Sequence, residues 1–152
     1  MNERPKRKTE RMLTGRVSMP HARYFITLCT KDRQVGLTET PVAESIQNVW
    51  RAQHRDEDYC LHCATIMPDH VHWLCTLGAR LTLSQTIGKF KSMVGVGMHW
   101  QRNYFDHRLR AEDAMEPFSK YIFLNPYRKT LIRCDEQWPW WTLNRDFRPE
   151  FV

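Results

Sequence analysis

The sequence predicts an α+β fold, an antiparallel β-sheet with helices packed on one of its faces. Three observations carry this prediction. Short runs rich in β-branched and aromatic residues recur along the chain. Between them lie segments whose apolar residues return at helical intervals behind capping signals. Two strand-like runs are separated only by Pro68-Asp69, a connection too short for a parallel crossover, so they must form an antiparallel hairpin. The 152 residues suit one domain large enough to bury a core without staples, and a 41% hydrophobic, 26% charged composition is that of a globular protein.

The elements follow in order. Arg23 to Thr30 reads as the first strand. Thr40-Pro41 is a cap followed by proline at the first helical position, and Val42, Ile46, Val49 and Trp50 recur at i, i+4, i+7, i+8, giving a helix to about Asp56. Leu61 to Met67 and His70 to Leu77 are the two arms of the hairpin. Thr82-Leu83-Ser84-Gln85 has capping-box spacing, and Leu83, Ile87, Phe90 and Val94 define a second helix that Gly95 and Gly97 end. The segment from Trp100 to Arg110 is compatible with a further strand and its approach. A last helix runs through residues 118–125, opening on Asp113-x-x-Glu116 or on Pro117; Pro126 stops or kinks it, with a short helical turn beyond. The tail from Trp138 is aromatic and should pack back on the domain. The order β-α-β-β-α-β-α is that of a ferredoxin-like domain. Residues 1–19 are read as a basic, solvated arm and residues 20–152 as the single domain.

The net charge of +6 and a pI near 9.2 favour a polyanionic partner. The charge is concentrated in the arm and in the second half of the chain. No apolar run could span a bilayer, and Asn2 to Lys8 lacks the apolar core of a secretory signal, so a cytoplasmic location is expected. The five cysteines have no framework spacing and read as free thiols. Cys60 and Cys63 form a C-x-x-C upstream of two histidines, which raises a zinc-dependent hydrolase as a reading. On a regular strand, however, residues three apart point to opposite faces, and the second knuckle of a structural zinc site is missing.

Pro68-Asp69-His70-Val71-His72-Trp73 carries the most chemistry. On a strand, i and i+2 share a face, so His70 and His72 present two imidazoles to one point and can hold a divalent metal. A half-buried strand can also carry two histidines for packing alone. Metal-assisted phosphoryl transfer needs, in addition, an in-line nucleophile, and a tyrosine packed across the hairpin would serve. The candidates are Tyr24, Tyr59, Tyr104, Tyr121 and Tyr127.

Three blocks in order, Met67-Pro68-Asp69-His70-Val71-His72-Trp73, Trp100-Gln101-Arg102-x-Tyr104-x-Asp106-His107-x-x-Arg110 and Tyr121-Ile122-x-x-Asn125-Pro126, resemble the REP-associated tyrosine transposases. These are domesticated relatives of the single-tyrosine IS200/IS605 transposases in the HUH nuclease superfamily. The resemblance covers about residues 20 to 133. It implies an enzyme that recognises stem-loop DNA from repetitive extragenic palindromes and cuts a neighbouring single strand through a 5′-phosphotyrosine, releasing a 3′-hydroxyl. On this pattern His70 and His72 match the metal-binding pair and Tyr121 the nucleophile. Asn125, one helical turn after Tyr121, corresponds to the polar residue that completes the metal site in the IS200/IS605 relatives. The implied metal is Mg2+ or Mn2+, although imidazole ligands also suit zinc. Lys89, Lys91, Arg102, Arg108 and Lys120 are the candidates for phosphate contact. The domesticated group implies a monomer rather than a dimer that exchanges tyrosine helices. His107 and Asp69 are expected to serve structure, Asp69 in the turn. After Asn125-Pro126 the chain departs from the family pattern, reading Tyr127-Arg128-Lys129 where a small residue and glycine are usual. The alternative reading is a non-catalytic stem-loop-binding module of the same fold.

Overall fold

A computed structural model describes residues 18–95 and 97–151. The amino-terminal arm up to residue 17 therefore lies outside the described residues. Five strands, β1 (Arg23–Cys29), β2 (Tyr59–Ile66), β3 (His70–Leu77), β4 (Phe105–Leu109) and β5 (Trp141–Leu143), form one sheet in the order β4-β1-β3-β2-β5. Every neighbouring pair is antiparallel. Three helices accompany it among the described residues: α1 (Thr40–Arg55), α2 (Leu83–Val94) and α3 (Glu116–Arg128). The central β-α-β-β-α-β with strand order 4-1-3-2 is the ferredoxin-like arrangement. β5 extends the sheet beyond β2.

Strand alternation divides the molecule into two layers. Tyr24, Ile26 and Leu28 of β1 and Val71, Trp73, Cys75 and Leu77 of β3 face the main core. There they meet Ile46, Val49 and Trp50 of α1 and Leu83, Ile87 and Phe90 of α2. Trp73 packs between Trp50 and Phe90, with ring centroids 5.8 and 4.9 Å away. On the opposite face, Phe25, Leu74 and Cys63 meet Ile122 and Phe118 of α3. The helices thus cover both faces, not the one face that the order of elements suggested. Ser119, Ile122, Asn125 and Pro126, spaced at three to four residues, make the buried stripe that turns α3 onto the sheet.

The capping box of α2 forms in full, with Thr82 Oγ1 accepting from the Gln85 amide and the Gln85 side chain accepting from the Thr82 amide. No such box opens α3. Asp113 accepts instead from the Arg110 amide, and Pro117 supplies the start. Pro126 does not stop the helix, which runs on to Arg128. A β-bulge between Leu61 and Cys63 corrects the reading of the C-x-x-C. Cys60 pairs with Thr76 and Cys63 with Leu74, two partners on one face, so both cysteines point to the α3 side. Cys63 is nevertheless buried and Cys60 exposed. The aromatic tail does pack back: Trp138 Nε1 donates to the Ile66 carbonyl, and β5 pairs with Cys63–Thr65.

Candidate active site

β3 begins in the middle of the sheet's end, so its first residues are flanked by β1 and β2 and covered by α3. His70 and His72 lie on the α3 face, their ring centroids 4.7 Å apart and their planes near perpendicular. Both are more than nine-tenths buried. Burial pushes the His70 pKa below its ordinary value, against the opposing pull of Asp69, and pushes that of His72 well below it. Both imidazoles are therefore neutral at pH 7, the form that can donate a lone pair to a metal.

Each ring is held at Nδ1. His70 Nδ1 lies 2.7 Å from Asp69 Oδ1, and Arg33 Nε is 2.9 Å from the other carboxylate oxygen. Burial works against the charge of Asp69, but the bonds from His70 and Arg33 outweigh it and hold the carboxyl below its usual range. Asp69 thus does more than shape the turn, though its carbonyl also accepts from the Thr30 amide. His72 Nδ1 is 2.8 Å from Thr27 Oγ1, the residue directly across from it on β1. Those contacts occupy Nδ1, so Nε2 is the atom of each imidazole that could take up other chemistry.

The Tyr121 ring stands edge-on to His72, 5.6 Å between centroids, and edge-on to Phe25 at 5.9 Å. The residue is 42% exposed. The Arg128 guanidinium sits over the ring, 4.5 Å from its centroid, and Nη2 donates to the Tyr121 carbonyl. Asn125 follows one turn after Tyr121 and is 3% exposed, and its Nδ2 has no hydrogen-bond partner among the described residues. With the amide turned about its axis, Oδ1 would take this open position, where it could coordinate a cation. Among the described residues no group of three or more His, Cys, Asp and Glu side chains could hold a metal. His70, His72 and the buried Asn125 amide are the side chains that could offer donors to a divalent ion here.

The basic candidates divide. Lys120 is exposed on α3 beside Tyr121. Lys89 is bound 2.7 Å from Asp58 on the α2 side of the sheet. Lys91 donates to the carbonyls of Gln101 and Arg102, and burial lowers its pKa. Both lysine ammonium groups are thus engaged within the fold. Arg102 is exposed on the approach to β4. Arg108 is opposite Tyr24 on the main-core face and contacts Met19, away from the histidines. His107 stacks on Phe118, their ring centroids 5.2 Å apart.

Three site residues were not singled out in the sequence. Thr27 reaches His72 through the β1–β3 register and Arg33 reaches Asp69 from the turn after β1, links that no local pattern reveals. Arg128 was hidden by reading Pro126 as a stop, although seven residues from Tyr121 is two helical turns on the same face.

Comparison with known proteins bears on the fold and the family. The family described as "Transposase IS200 like" matches residues 18–113. The REP-associated tyrosine transposase of Escherichia coli K12 is 21% identical over 128 residues, covering 81% of this chain and 77% of the relative. The solved structure described as a REP-associated tyrosine transposase bound to a REP hairpin superposes with a TM-score of 0.66 at 22% identity, over 87% of this chain and 82% of that one. By its family match across most of the sheet and both histidines, the chain belongs to the IS200-like transposases, a family of enzymes.

Proposed function

We propose that the chain is a metal-dependent single-strand DNA endonuclease and strand transferase that acts next to REP-type stem-loops through a 5′-phosphotyrosine. The observation that carries this reading is the contact of Tyr121 with His72 within one chain, with Asn125 one turn further along the same helix. The meeting of Tyr121 and His72 within one chain also supports a monomer.

The Tyr121 phenol, once deprotonated, attacks the scissile phosphorus in line with the leaving oxygen. A Tyr121 Oη–P bond forms as the P–O3′ bond breaks, and the departing oxygen takes up a proton to become a 3′-hydroxyl. One phosphoester replaces another, so a 3′-hydroxyl can attack the phosphotyrosine and rejoin a strand without an external energy source. His70, His72 and Asn125 would hold the divalent ion, Mg2+ or Mn2+, which supplies Lewis-acid stabilisation at a non-bridging phosphate oxygen. Arg128 fixes the nucleophile's ring from its face. Lys120, exposed next to Tyr121 in the chain, would attract the strand's phosphates. The REP hairpin bound to the solved relative supports hairpin DNA as the substrate class. Such an enzyme would work where chromosomal DNA lies, in the cytoplasm; among the described residues no helix is long and apolar enough to cross a membrane.

The test is a REP-type hairpin carrying a single-stranded flank, incubated with the protein and Mn2+, then resolved under denaturing conditions. The wild-type chain should form a covalent protein–DNA adduct that a chelator prevents. Tyr121→Phe should lose the adduct and keep hairpin binding. An adduct that survives the substitution would overturn the assignment of the nucleophile.

A further inference from the structure

The two histidines are each tied at Nδ1 to a different kind of partner, a carboxylate and a hydroxyl. We infer that Asp69, held by Arg33, and Thr27 are positioning residues that fix both imidazoles with the proton on Nδ1, so that two Nε2 lone pairs converge on one point before any metal arrives. This deepens the reading of His70 and His72 as metal ligands and rests on it.

For His70 the chemistry leaves little choice. Arg33 Nε is 2.9 Å from Asp69 Oδ2, and a carboxylate paired with a guanidinium is ionised and can only accept. The 2.7 Å contact from Asp69 Oδ1 to His70 Nδ1 therefore has its proton on the imidazole. Arg33 is itself located by backbone: its amide donates to the Thr30 carbonyl, and Thr30 Oγ1 donates to the carbonyls of Gln34 and Asp69. The Trp100-Gln101 block braces the same turn, because the Gln101 amide donates to the Cys29 carbonyl and the Lys31 amide to that of His99.

For His72 the partner is a hydroxyl, which can give or take a proton. Thr27 Oγ1 lies 2.8 Å from Nδ1, at the position facing His72 across the β1–β3 ladder. If it accepts, the ring keeps a lone pair at Nε2; if it donates, Nε2 carries the proton and cannot bind a metal without first exchanging it. The packing limits ring rotation. Phe25 stacks on His72 at 5.3 Å, with His70 and Tyr121 edge-on at 4.7 and 5.6 Å. A preorganised pair binds an ion without spending interaction energy on reorienting two buried rings.

The tautomers can be read directly in the metal-free full chain from long-range 15N–1H correlations of the imidazole rings. Both histidines should show a protonated Nδ1 and an unprotonated Nε2. Thr27→Val should shift His72 away from this state, and Mn2+ affinity, followed by electron paramagnetic resonance, should fall roughly 10- to 100-fold. Thr27→Ser should restore both. Asp69→Ala should weaken Mn2+ binding similarly, with Asp69→Asn, which keeps an acceptor oxygen, the milder change. A wild-type His72 protonated at Nε2, or Thr27→Val with unchanged Mn2+ affinity, would overturn the inference. Failure of the wild-type protein to bind Mn2+ at all, with tautomers as expected, would instead overturn the metal reading itself.

Discussion

Asp58 has a fully buried side chain, held between Arg80 at 3.0 Å and Lys89 at 2.7 Å. Its charge could not remain in the core without these partners. Lys89→Met should therefore cost about 1.5–3 kcal/mol of stability in urea denaturation, the worth of a hydrogen bond to a charged group. The folded variant should bind hairpin DNA with the wild-type salt dependence. Lys120→Gln should do the reverse, leaving stability near wild type while lowering affinity and flattening the dependence of binding on salt by about one counterion. The two lysines are equally basic in the sequence and differ only in what the fold sets beside them.

Gly78 and Gly88 make the same contrast between elements. Gly78 closes β3 against the loop between α1 and β2, its amide donating to the Asp58 carbonyl at 2.9 Å. A Cβ there would sit 2.2 Å from the Glu57 carbonyl oxygen, a backbone atom that cannot swing aside. Gly78→Ala should destabilise by about 3 kcal/mol or more, seen as a fall in Tm. Gly88 lies within α2, where a Cβ would meet nothing within 4 Å, and Gly88→Ala should stabilise by about 1 kcal/mol. The existence of β1–β4 and α1–α3 was legible because helical periodicity, the Thr82 box and the Pro68-Asp69 turn are local properties. The exceptions are instructive. β5 is three residues long and forms only because the exposed edge of β2 takes it up. α3 passes through Pro126 because the stripe of Ile122, Asn125 and Pro126 is buried on the sheet, and tertiary packing outweighs one missing amide proton.

At the scale of the whole molecule, His62 joins His70 and His72 as histidines kept neutral by burial. The His62 pKa is lowered to about 4, first by burial and then by Arg23 and His54, while its Nε2 bonds to Thr76 Oγ1 across the bulge. The unfolded chain takes up protons at these rings near pH 6.5, and the folded chain does so only further down. Unfolding therefore binds protons across this window, and stability must fall as pH drops from about 6.5 toward 4. Urea midpoints at pH 7, 5.5 and 4.5 should decline, and His62→Gln should make the decline shallower. A stability unchanged over that range would contradict the neutral assignment.

The sequence by itself determined the α+β class, the hairpin, the pairing of His70 and His72 on one face, and, through the order of its three blocks, the family. These depend on neighbours within a few residues, where strand alternation and helix periodicity are set by backbone geometry. Only the tertiary structure decided that α3 covers the opposite face from α1 and α2, that Tyr121 meets His72 in the same chain, and that Thr27, Arg33 and Arg128 rather than Lys89 and Lys91 surround the site. Register between strands and the face a helix buries are settled by the packing of the whole core, and residues 45 apart in the chain, as Thr27 and His72 are, carry no local mark of the bond between them.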